Sequence, residues 1–145
     1  MKKIYMILIF AGLVFGQNSS RKSLIKINNA WIRPAAEEAN SALFFEVTNN
    51  GNKTDSLLSA EFKFAEKVEV HETYKKSEDV MGMRAVKAVA IPVNTTVKFK
   101  PRDLHVMLLN LSRDVKRGQK YGVTLNFKFA GKVKVEAVVK EMPKM

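Results

Sequence analysis

An all-β fold, either a β-sandwich or a Greek-key barrel, is what this chain predicts, and three observations carry the prediction. Apolar and polar residues alternate with period two in several segments, turn residues separate those segments at short intervals, and only one short stretch has helical composition. Alternation of that period puts successive side chains on opposite faces, the mark of a half-buried strand. Strands and turns recurring this closely suit a sandwich or barrel.

The first strand is expected over residues 24–33, with Trp31 in the core. Pro34 ends it, and Ala35-Ala36-Glu37-Glu38-Ala39 is too short for a helix and reads as a loop. Further strands are expected at 42–48, 67–71, 83–86, 96–100 and 105–110. Asn49-Asn50-Gly51-Asn52, Pro92, Pro101-Arg102-Asp103 and Arg117-Gly118 supply breaks between them. Near the end, Val123, Leu125, Phe127 and Phe129 alternate with Thr124, Asn126 and Lys128. After the turn at Ala130-Gly131, Val133, Val135, Ala137 and Val139 line one face while Lys132, Lys134 and Glu136 point away, so the two runs predict a hairpin. The close, 142–145, reads as a loose tail.

Residues 1–16 read as a secretory signal. Lys2 and Lys3 precede an uncharged apolar run over 4–15, and Val14-Phe15-Gly16 offers a cleavage point near Gly16/Gln17. That run falls short of the roughly twenty residues that span a bilayer, so retention as an anchor is the lesser alternative. No cysteine follows it to carry a lipid. Residues 17–145 are then expected to form one domain, exported to the periplasm.

The chain contains no cysteine. Packing must therefore support the fold without disulfides, and thiol redox chemistry and a blue-copper site are both excluded. The formal charge is +11, and removing Lys2 and Lys3 leaves 25 − 2 = 23 basic against 14 acidic residues, or +9. Such a balance favours acidic proteins or a peripheral contact with an anionic membrane surface. Nucleic acid is not expected as a partner, because the chain is exported and its lysines are dispersed along strands.

Both histidines fall in one methionine-rich constellation: His71, then Met81-Gly82-Met83, then His105-Val106-Met107. Eleven residues separate His71 from Met83, twenty-one separate Met83 from His105, and one separates His105 from Met107. Imidazole with thioether, and no thiolate, favours Cu(I) over harder ions. Strand parity sets His71 opposite Val68 and Val70, exposed at a strand end. His105 and Met107 share one face, about 7 Å apart by strand rise. Methionine also fills cores, so Met81, Met83 and Met107 each admit that plainer reading.

With these residues in place the chain resembles the PCu(A)C periplasmic copper chaperones. Their pattern is a histidine, a methionine about a dozen residues on, and a later His-x-Met. The likeness extends through Ala30-Trp31-Ile32-Arg33-Pro34, Ser41-Ala42-Leu43-Phe44-Phe45, Lys67-Val68-Glu69-Val70-His71-Glu72 and Val123-Thr124-Leu125-Asn126-Phe127. The resemblance implies a cupredoxin-like sandwich holding one Cu(I) per chain at His71, Met83, His105 and Met107, with Met81 as an auxiliary candidate. It also implies delivery towards cytochrome c oxidase assembly, with a Sco-type thioredoxin-fold copper protein or the oxidase copper subunit as partner. Arg102-Asp103 departs from the glycine pair that many relatives carry there. The tail lacks histidine, so a second copper site is not expected.

Two other readings compete: a copper buffering or resistance protein built on the same site, and an immunoglobulin-like binding module in which the His/Met cluster is incidental. Enzymatic function is not expected. Two histidines, no cysteine and no Gly-x-Ser-x-Gly elbow leave little for a hydrolase to use.

Overall fold

The computed structural model describes residues 24–144, so the signal expected over 1–16, its cleavage point and Met145 lie outside the described residues. Ten strands follow in order: β1 (Ile25–Ile32), β2 (Ser41–Asn49), β3 (Asp55–Glu61), β4 (Ala65–Ser77), β5 (Val80–Ala85), β6 (Val89–Ile91), β7 (Thr96–Phe99), β8 (His105–Leu111), β9 (Lys120–Phe127) and β10 (Gly131–Val139). They pair in the order β5-β4-β8-β2-β1-β10-β9-β3-β6, with β7 added beside β2. All pairings are antiparallel except that of β1 with β10. Of the two closures expected, the barrel is not formed: β5 and β6 end an open ladder. The sheet instead coils until β3 approaches β4 across the core.

Two strands escaped the sequence reading. In β3 a register shift between Leu57 and Ser59 breaks the alternation, leaving Leu57 buried and Leu58 exposed. A bulge of this kind inserts a residue and reverses side-chain parity. β6 has only three residues, too few to display a period.

The main core joins both layers through Ile32, Leu43, Phe45, Val47, Leu57, Val106, Leu108 and Leu125. Phe45 stacks on Phe99 with ring centroids 4.4 Å apart. Strand β2 is buried on both faces at its start, which is why Ser41-Ala42-Leu43-Phe44-Phe45 reads as a near-continuous apolar run. Leu43 and Phe45 enter the main core, while Ala42 and Phe44 form a second cluster with Trp31, Met107 and Val138.

Trp31 is buried as expected, but in the second cluster and not in the main core. Asn29 adopts φ +52, and the β1–β2 register shifts between Asn28 and Trp31. Ile25 and Ile27 pack on the main core before this bulge, and Ala30 and Ile32 do so after it. Trp31 is thereby turned to the opposite face, where it lies 4.5 Å from the Phe44 ring.

The C-terminal hairpin forms as expected, with Gly131 opposite Phe127. Gly131 supplies φ +75, a conformation that costs glycine little. Phe129 was expected inside but sits in the turn, 53% exposed. The strand stops at Phe127 because buried Asp55 accepts the backbone N–H groups of Phe129 and Ala130, at 3.0 and 2.9 Å. Residues 35–39 form a loop pinned by an Ala35–Val115 bridge, and 141–144 have no regular structure.

Candidate metal centre

Strand β4 pairs with β8 so that His71 stands opposite His105, and Glu69 stands opposite Met107. Directly paired residues share a sheet face, as do residues two apart on one strand. His71, Glu69, His105 and Met107 are thus neighbours on the face that also carries Ala42, Phe44 and Trp31. Val70 and Val106 point the other way into the main core. The imidazole rings of His71 and His105 lie 5.6 Å apart in a T-shaped arrangement, with Phe44 6.4 Å from His105.

The expectation that His71 is exposed at a strand end is corrected here. Strand β4 continues to Ser77 because its second half pairs with β5, which leaves His71 in mid-strand. Its side chain is 14% exposed. His105 does open β8, as expected, and is 4% exposed.

Each ring is oriented by a group that only accepts hydrogen bonds. His71 Nε2 donates to the Glu69 carboxylate at 2.7 Å, and His105 Nδ1 donates to the Asp103 carbonyl at 2.8 Å. A carboxylate and a carbonyl cannot donate in return, so both tautomers are determined. The remaining nitrogens, His71 Nδ1 and His105 Nε2, are buried and have no protein partner. Two bare, buried imidazole lone pairs on facing residues are what a metal ion requires and what a structural histidine avoids.

Supporting groups extend this arrangement. Lys67 Nζ lies 2.5 Å from Glu69, and its hydrogen bond, followed by that of His71, holds the Glu69 carboxyl below the usual carboxylate range. The Asp103 carbonyl also accepts the Thr73 hydroxyl at 3.1 Å. Burial pushes the His105 imidazole below the usual histidine range, the Asp103 hydrogen bond opposes this, and His71 and Arg33 add to the lowering. Glu69 was legible as a charged residue two before His71. The Asp103 carbonyl left no trace in sequence, because any residue has one.

The methionines divide. Met107 is half-buried beside Phe44 and Trp31. Met83 pairs with Thr73, one repeat along β4 from His71 on the same face, and is 59% exposed. Met81 pairs with Lys75, a further repeat away, and is 61% exposed. The structure therefore gathers His71, His105 and Met107 directly and sets Met83 at the margin, exposed on the neighbouring strand. Among the described residues no three His, Asp or Glu side chains form a metal-holding group, and the further donors on the face of the histidine pair are the thioethers of Met107 and, at the margin, Met83. That neutral, soft donor set suits a monovalent soft ion.

The fold is shared with known proteins. The copper-bound PCuAC domain from PmoF2 is 26% identical and superposes with a TM-score of 0.67, covering 82% of this chain and 94% of that domain. CuI-DR1885 from Deinococcus radiodurans is 25% identical with a TM-score of 0.62, covering 87% and 85%. The cupredoxin-like sandwich implied by resemblance is thus the fold observed. Among curated sequences, "Putative lipoprotein Lxx21020" of Leifsonia xyli subsp. xyli is 30% identical over 117 residues, 81% of this chain and 70% of that protein. Residues 25–139 match the family model described as "Putative lipoprotein LpqE-like". The match runs from the first residue of β1 to the last of β10, and the chain belongs to the LpqE-like family.

Proposed function

We propose that this protein is an exported copper carrier. It takes one Cu(I) per chain through His71, His105, Met107 and Met83, and passes it to an acceptor outside the cytoplasm. The observation that carries the reading is the pair of buried, unpartnered ring nitrogens on directly facing histidines beside Met107. Copper held by the PmoF2 domain and by DR1885 on the same fold supports the choice of ion. The family's lipoprotein description supports export, and the periplasm is the compartment proposed.

Carriage fits the donors better than catalysis or storage. Thioethers do not oxidise to disulfides outside the cytosol, and they bind Cu(I) without losing a proton. Met83 on edge strand β5 is the exposed ligand, so an incoming acceptor meets it first and exchange begins there. The acceptor we favour is a thioredoxin-fold copper protein of the Sco type or the copper subunit of cytochrome c oxidase.

Anaerobic Cu(I) titration against a chromogenic chelator tests the reading. One tightly held equivalent is expected, lost in a His71→Ala, Met83→Ala variant. Failure of the wild-type protein to compete at all would reduce the cluster to coincidence and favour a binding module. Tight binding without transfer to any oxidase-assembly protein would favour a buffer.

A further inference from the structure

The pole of the sandwich where the described chain begins carries a second surface unrelated to the histidines. Phe129, at the tip of the β9–β10 hairpin, and Leu24, just before β1, are both exposed and line one open groove with Lys53, Lys132 and Lys134. Lys53 Nζ lies 3.8 Å from the Phe129 ring centroid and Lys128 Nζ lies 5.3 Å from it. Lys132 is paired with Glu61 at 3.4 Å, whereas among the described residues no carboxylate pairs with Lys53, Lys128 or Lys134. The acid that lines this groove, Asp55, is buried and occupied by the turn's N–H groups. Those two bonds hold the tip in shape, so Phe129 is presented outward by a braced turn.

We infer that this pole seats the protein on an anionic phospholipid surface. An apolar ring among cations whose long stems reach past it matches the boundary between headgroups and acyl chains. Lysines near such a surface gain from its negative potential. The position of the chain supports the same occupant: residues 17–23, which lead into Leu24 inside the patch, add Arg21 and Lys22 to its charge and contain no acidic residue. Val138 in the Trp31 cluster lies five residue steps along β10 from Val133 in the groove, about 17 Å of strand. A bilayer at the hairpin tip therefore leaves the His/Met face free, and the inference does not depend on copper.

Vesicle partitioning of the exported form, residues 17–145, provides the test, with a Phe129→Trp variant read against the Trp31 emission of the parent. With phosphatidylglycerol/phosphatidylcholine vesicles the added tryptophan is expected to shift to the blue and to be quenched by brominated lipid. Neither change is expected with phosphatidylcholine alone. A Lys53→Glu, Lys128→Glu, Lys134→Glu variant is expected to lower partitioning by at least about ten-fold. Its thermal melt serves as the folding control. A Lys63→Glu, Arg117→Glu, Lys120→Glu variant, altered towards the other end of β9, is expected to partition nearly as the parent does. Equal losses in both charge variants would reduce the effect to net charge and overturn the proposal. So would unshifted emission from the added tryptophan on vesicles that bind the chain, since other residues would then be holding it.

Discussion

His71 and His105 face each other across the β4–β8 ladder, and each donates one ring N–H to an oxygen from its own strand or the turn before it. The result is an asymmetric pair in which the bare nitrogen is Nδ1 on one residue and Nε2 on the other. A carboxylate behind one imidazole and a carbonyl behind the other is the kind of support that orients metal ligands.

This asymmetry predicts the tautomers of the apo protein. Two-bond 1H–15N correlation spectra at neutral pH should show His71 protonated at Nε2 and His105 at Nδ1. Replacing Glu69 by alanine should release the His71 ring and weaken Cu(I) binding by about 10–100-fold, whereas Glu69→Gln, which still accepts, should lose less. Spectra with the opposite tautomer at either residue would remove the basis of this account.

Stability should depend on pH through His105. Its folded-state pKa lies below the ordinary value, chiefly because of burial. The unfolded chain therefore takes up the proton more readily. The contribution is fully present above pH ~6.5 and is lost as pH falls from there through the depressed folded value. Urea unfolding of the apo protein and of His105→Gln at pH 7.5, 6 and 5 checks this. The wild-type chain should lose stability relative to the variant as pH falls; a constant difference would contradict it.

Gly82 leaves room for the Tyr74 ring of the facing strand to lie across it. A Cβ at this position would lie 2.9 Å from Tyr74 Cζ, and the Tyr74 ring is itself covered by Arg84, whose guanidinium carbon is 4.7 Å from its centroid. Arg84 is fixed in turn by Glu72 at 2.6 Å. Gly82→Ala should cost about 1 kcal/mol by overpacking. In a Tyr74→Ala background it should be neutral or slightly stabilising, since alanine has the lower entropy cost on folding. A double-mutant cycle by chemical denaturation measures the coupling; purely additive effects would mean that the ring simply moves aside.

Arg102 occupies the left-handed region, with φ +66, in the turn that delivers His105 to β8. A side chain there costs roughly 1–2 kcal/mol, and glycine returns part of that gain as backbone entropy. Arg102→Gly should therefore stabilise the fold by up to about 1 kcal/mol and leave Cu(I) affinity nearly unchanged. A lower melting temperature would show that the Arg102 side chain makes a compensating contact.

Strand periodicity and ligand chemistry were both legible in the residues themselves. Period two is a local property, so the runs at 42–48, 105–110 and 132–139 announced β2, β8 and β10 within a residue or two. The types and spacing of His71, Met83, His105 and Met107 pointed to one soft-metal constellation, and the side of β4 on which His71 lies followed from Val68 and Val70. Register was not legible. That His71 meets His105, thirty-four positions later, depends on how β8 slides along β4, and hydrogen bonds between strands decide it. The bulge at Asn29 reversed the face of Trp31, and Asp55 stopped β9 before Phe129 could point inward. Sequence alone determined which side chains alternate and which carry soft-metal donors. Only the tertiary structure decided which of them meet, because parity is set within a strand while register, bulges and turn caps are set by its neighbours.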